Sequence, residues 1–502
     1  MTGAPTRTDR VLAGWLWLST GSGVQGVLTV LTVAVLARLL TPADFGLVSA
    51  ALIASNFSRL LPESTVGAAL IQRLELRPAH VRTAVAIAWL TGIGTALLLW
   101  AVAPFIGELL RMPGLPPVLR ALACLQPIIA VGVVPEALLR RALRYRIVAQ
   151  ARAFASAVGY GAVGIGLAAY GARQWALVGA AAAQAILMTL AMQRFGRAPL
   201  RPGFEPRAAG ELMTFSGGFL LARAGNYAAG QGDNLVVARW LGAGALGVYD
   251  RAYQLMAAPA MLLGQALDEA LFPALAQIQA DRSQVASVYR RGVGAVALVM
   301  LPASIVLCML APEIVLVLLG PQWIRVVLPF RILALGLLFR TSYKVSDAFA
   351  RALGVVYRRA WRQWAFAGLV IGGAVVGQRW GTAGVATAVV AALALNFLLQ
   401  AQLIVGLVEL PWHRFAAAHW PGARLALVVG IPVAAVAAAA RELIGMPPIA
   451  TLALASLPVV ATVWVAFSSG ARWLGPEGAW LILRLAELRH RRAPAAAPGV
   501  PA

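Results

Sequence analysis

Charge is scarce in this chain. Only 12% of its 502 residues are Asp, Glu, Lys or Arg, where soluble globular proteins carry roughly 25%. With 60% of residues hydrophobic, too few polar groups remain to cover a surface in water, which excludes a soluble globule. Lysine is all but missing. Lys344 is the sole one and follows Tyr343, so no Gly-Lys-Ser/Thr phosphate loop exists and ATP hydrolysis by that route is excluded. The two cysteines, Cys124 and Cys308, lie in apolar stretches, which argues against a disulfide or metal framework. His80, His413, His419 and His490 are scattered, with no His-Glu-x-x-His zinc pair. No catalytic motif survives, so the expectation is a protein that is not an enzyme and needs no cofactor or metal.

What is present is long apolar blocks. Residues 11–37, 83–107 and 443–471 contain no charge, and about 20 apolar residues suffice for a helix to cross the hydrocarbon core. Fourteen runs qualify as spans: 11–36, 44–61, 83–106, 117–139, 152–171, 174–193, 212–237, 246–270, 292–317, 326–349, 362–378, 381–407, 422–440 and 448–470. The second and tenth are weak, so the expected fold is an all-α polytopic membrane protein of twelve to fourteen transmembrane helices. The run after Arg10 is too long for a signal-peptide core and is read as a retained span.

The net charge of +23 and pI near 11.5 would point to nucleic acid in a soluble protein. Here the charges fall between apolar blocks, and nucleic acid is not an expected partner. With fourteen spans and both termini on one side, that side receives 31 of the 42 basic residues and the other ten. This bias is the positive-inside rule, and it places both termini in the cytoplasm. Trp15, Trp17, Trp100, Trp175, Trp240, Trp323, Trp361, Trp364 and Trp380 stand near span ends, where amphipathic rings favour the headgroup zone. Past the last span, Trp480, Leu481, Leu485 and Leu488 alternate with Arg484, Arg489, Arg491 and Arg492. That pattern predicts a short helix on the cytoplasmic leaflet, with anionic lipids as partners, before a disordered Ala/Pro tail.

The chain also repeats itself. Val35-Leu36-Ala37-Arg38-Leu39-Leu40 with Phe45-Gly46 matches Val236-Val237-Ala238-Arg239-Trp240-Leu241 with Leu246-Gly247 at an offset of 201. A second match, after Tyr170 and after Trp380, has an offset near 210. Six spans separate the matching points, and an even number makes the copies parallel. The expected organisation is two six-helix lobes, 1–207 and 208–409, a terminal pair at 410–471, and a basic interfacial helix and tail at 472–502.

Polar residues inside spans cost about 2.5–3.5 kcal/mol each at a helix centre, so they face a cavity or a partner. The seventh span carries Arg223, Asn226 and Asp233 at steps of three and seven, one helical face. The repeat offset maps them near Ser22, Gln25 and Thr32 on the first span. These six are the candidate cavity residues, with Arg223 suited to a phosphate oxygen. The competing reading pairs Arg223 with Asp233 or Asp250 as helix glue. Glu63, Glu136 and Asp347 read as ordinary interface residues.

The stretch from Ala37 through Thr41-Pro42-Ala43-Asp44-Phe45-Gly46 to Leu47, then Gly67 to Arg73, resembles the opening of the polysaccharide transporter family of O-antigen and exopolysaccharide flippases. That family belongs to the multidrug/oligosaccharidyl-lipid/polysaccharide exporter superfamily. Asp233 to Gly242 followed by Leu246 to Tyr249 is similar to its second lobe. The resemblance implies a central cavity and alternating access. Its implied substrate is a polyprenyl-pyrophosphate-linked oligosaccharide carried across a bacterial inner membrane, with a polysaccharide polymerase and glycosyltransferases as partners. An ion-coupled drug antiporter of the same superfamily is the nearest alternative, and would need buried carboxylates. A membrane glycan polymerase or ligase would need a long periplasmic loop, and a non-transporting scaffold would need neither.

Overall fold

A computed structural model describes residues 30–73, 75–199, 201–213, 216–278 and 281–468. No strand occurs among them, and the protein is an all-α polytopic membrane protein. In chain order the helices are α1 (Val30–Leu39), α2 (Pro42–Gln72), α3 (Pro78–Leu109), α4 (Leu115–Arg141), α5 (Tyr145–Ala169), α6 (Gln174–Gly196) and a short α7 (Pro206–Met213). There follow α8 (Ser216–Ile278), α9 (Arg282–Met309), α10 (Ala311–Leu318), α11 (Pro321–Leu335), α12 (Leu337–Ala352), α13 (Trp361–Leu407), α14 (Trp412–Leu443) and α15 (Pro448–Val465).

Among the described residues nine helices are long and apolar enough to cross a bilayer, or ten if the α11–α12 pair, bent by 43°, is one span. This is fewer than the expected twelve to fourteen, and two causes are visible. The first expected span falls mainly on residues 1–29, outside the described residues, as does the basic tail beyond 468. Helix α13 has 47 residues, about 70 Å at 1.5 Å per residue, more than twice the core thickness. It turns at Gly381 (φ 69°), between the spans expected at 362–378 and 381–407. Helix α8 likewise breaks at Gly242 (φ 85°), between the two expected there. Leu90, Leu97, Leu98 and Phe105 on α3 are exposed, an apolar face that lipid covers.

The chain divides into two compact units. The first comprises Met1–Leu255, Leu318–Pro329 and Gln363–Ala392; the second comprises Met256–Val317, Phe330–Arg362 and Leu393–Ala502. Within the first unit, Thr41-Pro42-Ala43-Asp44 starts α2 as a capping box. The Thr41 hydroxyl accepts from the Asp44 amide at 3.3 Å, and the Asp44 carboxylate accepts from the Thr41 amide at 3.0 Å, a device worth about 1 kcal/mol. The carbonyls at the end of α1 are met by side chains from much later in sequence. Trp323 Nε1 donates to Ala37 O at 2.7 Å, and Gln322 Nε2 donates to Leu40 O at 3.2 Å. Trp323 is therefore fully buried within the protein, where its position near a span end suggests a ring facing the headgroups. Its indole N–H does better satisfying a helix end than meeting water.

The sequence repeat is realised as a contact. A Cβ on Gly46 would come 1.8 Å from Ala243 O, and one on Gly247 would come 1.9 Å from Pro42 O. Gly46 and Gly247 are one repeat apart, as are Pro42 and Ala243, so this is one contact read from either copy, the mark of a local two-fold. Only glycine permits that approach. Ser49 and Asp250, a further pair at separation 201, hydrogen-bond across the same line at 2.8 Å.

In the second unit, Leu310, Val429, Val433, Ala437 and Ala455 form an apolar core. Tyr289 on α9 bonds Ser346 on α12 at 2.8 Å and meets the Phe349 ring edge-on. Glu313 and Arg441 form a two-pronged ion pair with both contacts at 2.7 Å.

Candidate anion-binding cavity

The first unit encloses a cavity of about 820 Å³. Helix α2 contributes Asn56, Arg59 and Glu63, α4 contributes Glu136 and Arg140, and α5 contributes Arg152 and Tyr160. Ser55 on α2, Gln184 and Thr189 on α6 and Arg223 on α8 add to its polar lining. Local backbone irregularity aims several of these groups. Pro62 has no N–H to give the preceding turn, and the α2 ladder widens to a π-turn over Glu63–Gly67. A second π segment, Ala157–Gly164, carries Tyr160. Such bulges recur at functional sites because they re-aim side chains without ending the helix.

Charge in this cavity is organised around two carboxylates. Glu63 Oε1 accepts from Arg59 Nη2 at 3.3 Å, and its Oε2 accepts from Arg223 Nη2 at 3.1 Å. Glu136 Oε1 accepts from Arg140 at 2.5 Å and from Arg152 at 3.2 Å. Four arginines against two carboxylates leave the wall with a formal excess of two positive charges. The side chains of these pairs are between 23% and 46% exposed, so each pair is screened and contributes roughly 1 kcal/mol or less. Such pairs exchange readily. An oxyanion entering the cavity can take over an arginine that a carboxylate now holds, with two parallel N–H···O bonds per guanidinium.

Arg223 is held in place by its own helix. Tyr227, one turn on, donates to Ile53 O at 2.7 Å and packs against Phe57, so α8 is fixed along the α2 segment that bears Arg59 and Glu63. Arg223 thus meets Glu63, not Asp233 or Asp250. Its face-mates stand elsewhere. Asn226 is exposed, and Asp233 is 1% exposed, accepting from Tyr249 Oη at 2.7 Å and from the Asn234 amide at 2.9 Å. Thr32 lines a second, smaller cavity. Ser22 and Gln25 lie outside the described residues. Arg59, Glu63, Glu136, Arg140 and Arg152 are cavity residues that sequence reasoning assigned to loops or span ends. Their signal was the i,i+4 spacing of opposite charges, Arg59 with Glu63 and Glu136 with Arg140.

The second unit contains a matching group. Asp347 accepts from Arg359 Nη2 at 3.1 Å and stands 3.4 Å from Arg351 Nε. Acid, arginine four residues on, and a further arginine past the following turn: this is the order of Glu136, Arg140 and Arg152 shifted by about the second repeat offset. The Glu136 group lines the 820 Å³ cavity.

Comparison with known proteins agrees with this architecture. Residues 35–328 match the family model described as "Polysaccharide biosynthesis protein". The chain is 25% identical over 300 residues to the lipopolysaccharide biosynthesis protein WzxC of Escherichia coli, covering 59% of this chain and 60% of that one. It is 26% identical over 293 residues to the succinoglycan biosynthesis transport protein ExoT of Rhizobium meliloti, covering 58% of each. The chain thus spans about 60% of the length of the curated relatives it matches. Among solved structures, the lipid II flippase MurJ in an inward closed conformation superposes with a TM-score of 0.71 at 12% identity, over 90% of this chain and 99% of that one. An inward-facing multidrug resistance transporter of the MATE family, in the MOP superfamily, gives 0.56 at 17% identity, over 82% and 96%. At these identities the structures speak to fold alone. The match to the family model covers more than half the chain, and the chain belongs to that family.

Proposed function

We propose that this member of the polysaccharide biosynthesis protein family is a flippase. Its cargo is an oligosaccharide linked to a polyprenyl diphosphate, an O-antigen, capsule or exopolysaccharide repeat unit, carried across a bacterial inner membrane by alternating access. The observation that carries this reading is the cavity wall: four arginines, each held by one of two carboxylates and none locked in a buried pair. A diphosphate cannot enter hydrocarbon unaided, and fixed guanidinium donors replace its hydration while the prenyl chain stays in lipid. The printed names of the relatives, one a transport protein and two biosynthesis proteins, and a fold shared with a lipid II flippase support it.

The arginine bias puts both termini in the cytoplasm, so the Arg59 end of α2 belongs to the cytoplasmic half and the cavity is loaded from there. Two lobes, 1–207 and 208–409, carry the transport cycle in this reading, and 410–471 and 472–502 add a helical pair and a leaflet-bound tail. Glycosyltransferases supply the cargo and a polymerase receives it. The wall residues Arg223, Arg59, Arg140 and Arg152 bind diphosphate. Thr32 belongs to an adjoining space, and Asn226, Asp233, Ser22 and Gln25 are further cargo-binding candidates read from the sequence.

The test is transport. Purified protein in liposomes, given a fluorescent polyprenyl-diphosphate oligosaccharide, should expose the label to an outside quencher faster than empty liposomes. Arg223→Ala should insert and accumulate normally yet flip at least about tenfold more slowly. Full flipping by Arg223→Ala, or none by the parent protein, would remove this reading.

A further inference from the structure

A second cavity of about 340 Å³ adjoins the first; Leu52, Tyr160 and Gln184 line both. Its chemistry differs. The remaining polar lining is Thr32, Ser49, Ser156, Gln254 and one charged group, Arg251. Arg251 is 8% exposed, and its guanidinium lies over the Phe45 ring at 4.7 Å. One prong, Nη2, reaches Asp250 Oδ2 at 3.1 Å. That same oxygen already accepts from Ser49 at 2.8 Å and from Gln254 at 3.1 Å. Arg251 Nε has no hydrogen-bond partner. A buried guanidinium N–H left unmade is costly, and the Arg251 side chain lines a space of ligand size.

We infer that this second cavity is a glycan subsite in which Arg251 receives the carboxylate of an acidic sugar, so that Arg251 sets a preference for uronate-bearing over neutral repeat units. The inference rests on the flippase reading and deepens it. Hydroxyls and carboxamides beside two aromatic faces, Tyr160 and Phe45, suit a pyranose ring with its mix of hydroxyls and C–H surface. The charge suits a single carboxylate and not a diphosphate, because Asp250 already neutralises part of one arginine and no second cation lines the space among the described residues. Position agrees as well. Ser49 precedes Arg59 by ten residues on α2, about 15 Å of helical rise, so a cargo held by its diphosphate at Arg59 and Arg223 would extend its sugars toward Ser49 and Arg251.

The experiment uses the full chain in phosphatidylcholine nanodiscs and three soluble probes: a glucuronate-containing trisaccharide, its methyl ester, and inorganic pyrophosphate. The parent protein should bind the acid about tenfold or more tighter than the ester, which keeps the shape and loses the charge. Arg251→Gln should bind acid and ester alike while its pyrophosphate affinity stays unchanged. Equal binding of acid and ester by the parent protein, binding of neither, discrimination retained in Arg251→Gln, or loss of pyrophosphate binding in that variant would each overturn the inference. The acid–ester comparison on the parent protein stands even if Arg251→Gln fails to fold. Acid–ester discrimination without any pyrophosphate binding would sink the diphosphate cavity and leave the sugar subsite in place.

Discussion

Glu136 and Asp347 hold the same kind of partners in different units, and their surroundings set them apart. Glu136, with Arg140 and Arg152, borders an 820 Å³ cavity. Asp347, with Arg351 and Arg359, closes the turn between two helices. The second unit shows the same tendency at Glu313, 6% exposed at its side chain and gripped from two sides by Arg441. Both units carry acid-centred arginine groups; those of the first line a cavity, while Arg441 of the second also donates to the Met309 carbonyl. In the proposed reading the charges of the first unit exchange for cargo, while Glu313 is held in a pair too buried to exchange.

The largest expected effect separates binding from bracing. Arg59→Ala with Arg223→Ala should weaken pyrophosphate binding about a hundredfold, the loss of two charge-assisted contacts. Arg351→Ala with Arg359→Ala should leave it within about twofold, read by titration calorimetry on matched nanodiscs. Equal losses in both doubles would erase the distinction between the units. Next comes stability. Glu313→Gln breaks a pair with one buried partner and should cost about 2 kcal/mol, discounted because Arg441 is one-third exposed at its side chain. Glu63→Gln, between two half-exposed arginines, should cost under about 1 kcal/mol and raise pyrophosphate affinity by freeing both. Thermal unfolding of the two variants side by side checks the order. Smaller again is Asp347→Asn, at roughly 1 kcal/mol, with pyrophosphate affinity unchanged, whereas Glu136→Gln should strengthen pyrophosphate binding severalfold.

Much of this contrast was hidden by helix length. Composition and apolar runs were enough to see a polytopic helical protein, whereas the close approach of Gly46 to Ala243 and of Gly247 to Pro42 was not legible in the offset of 201 that relates them. Arg223 stood out because it interrupts a span. Arg59 and Glu63 did not, because the charge-free run from Phe45 ends at Ser58 and suggests a helix ending nearby, while α2 continues to Gln72 and keeps both residues within the helix. Arg140 and Arg152 were counted as loop charge for the same reason, since α4 runs to Arg141 and α5 starts at Tyr145. The environment of Asp233 depends on Tyr249, beyond the turn at Gly242, a pairing that no helical spacing encodes. The grip on Trp323 likewise comes from a carbonyl 286 positions away.

The smallest effect tests whether bracing is confined to the second unit. At the start of α3, buried His80 meets Glu211 of α7 at 3.0 Å, and Arg73 and Arg77 approach the same carboxylate. The His80 hydrogen bond, helped by these arginines, holds the Glu211 carboxyl below its ordinary value of 4.5. A carboxylate depressed in the folded state adds stability above its unfolded pKa, and that contribution is lost as pH falls from about 4.5 through the lower folded value. Acid should therefore loosen α7 from α3. Amide exchange across 206–213, corrected for the intrinsic rate, should quicken between pH 5 and pH 3. In Glu211→Gln it should be fast at both. Exchange in the parent protein that ignores pH over this range would mean that α7 is held by Ala208, Ala209 and Leu212 packing alone, and that the first unit keeps its charges for its cavity.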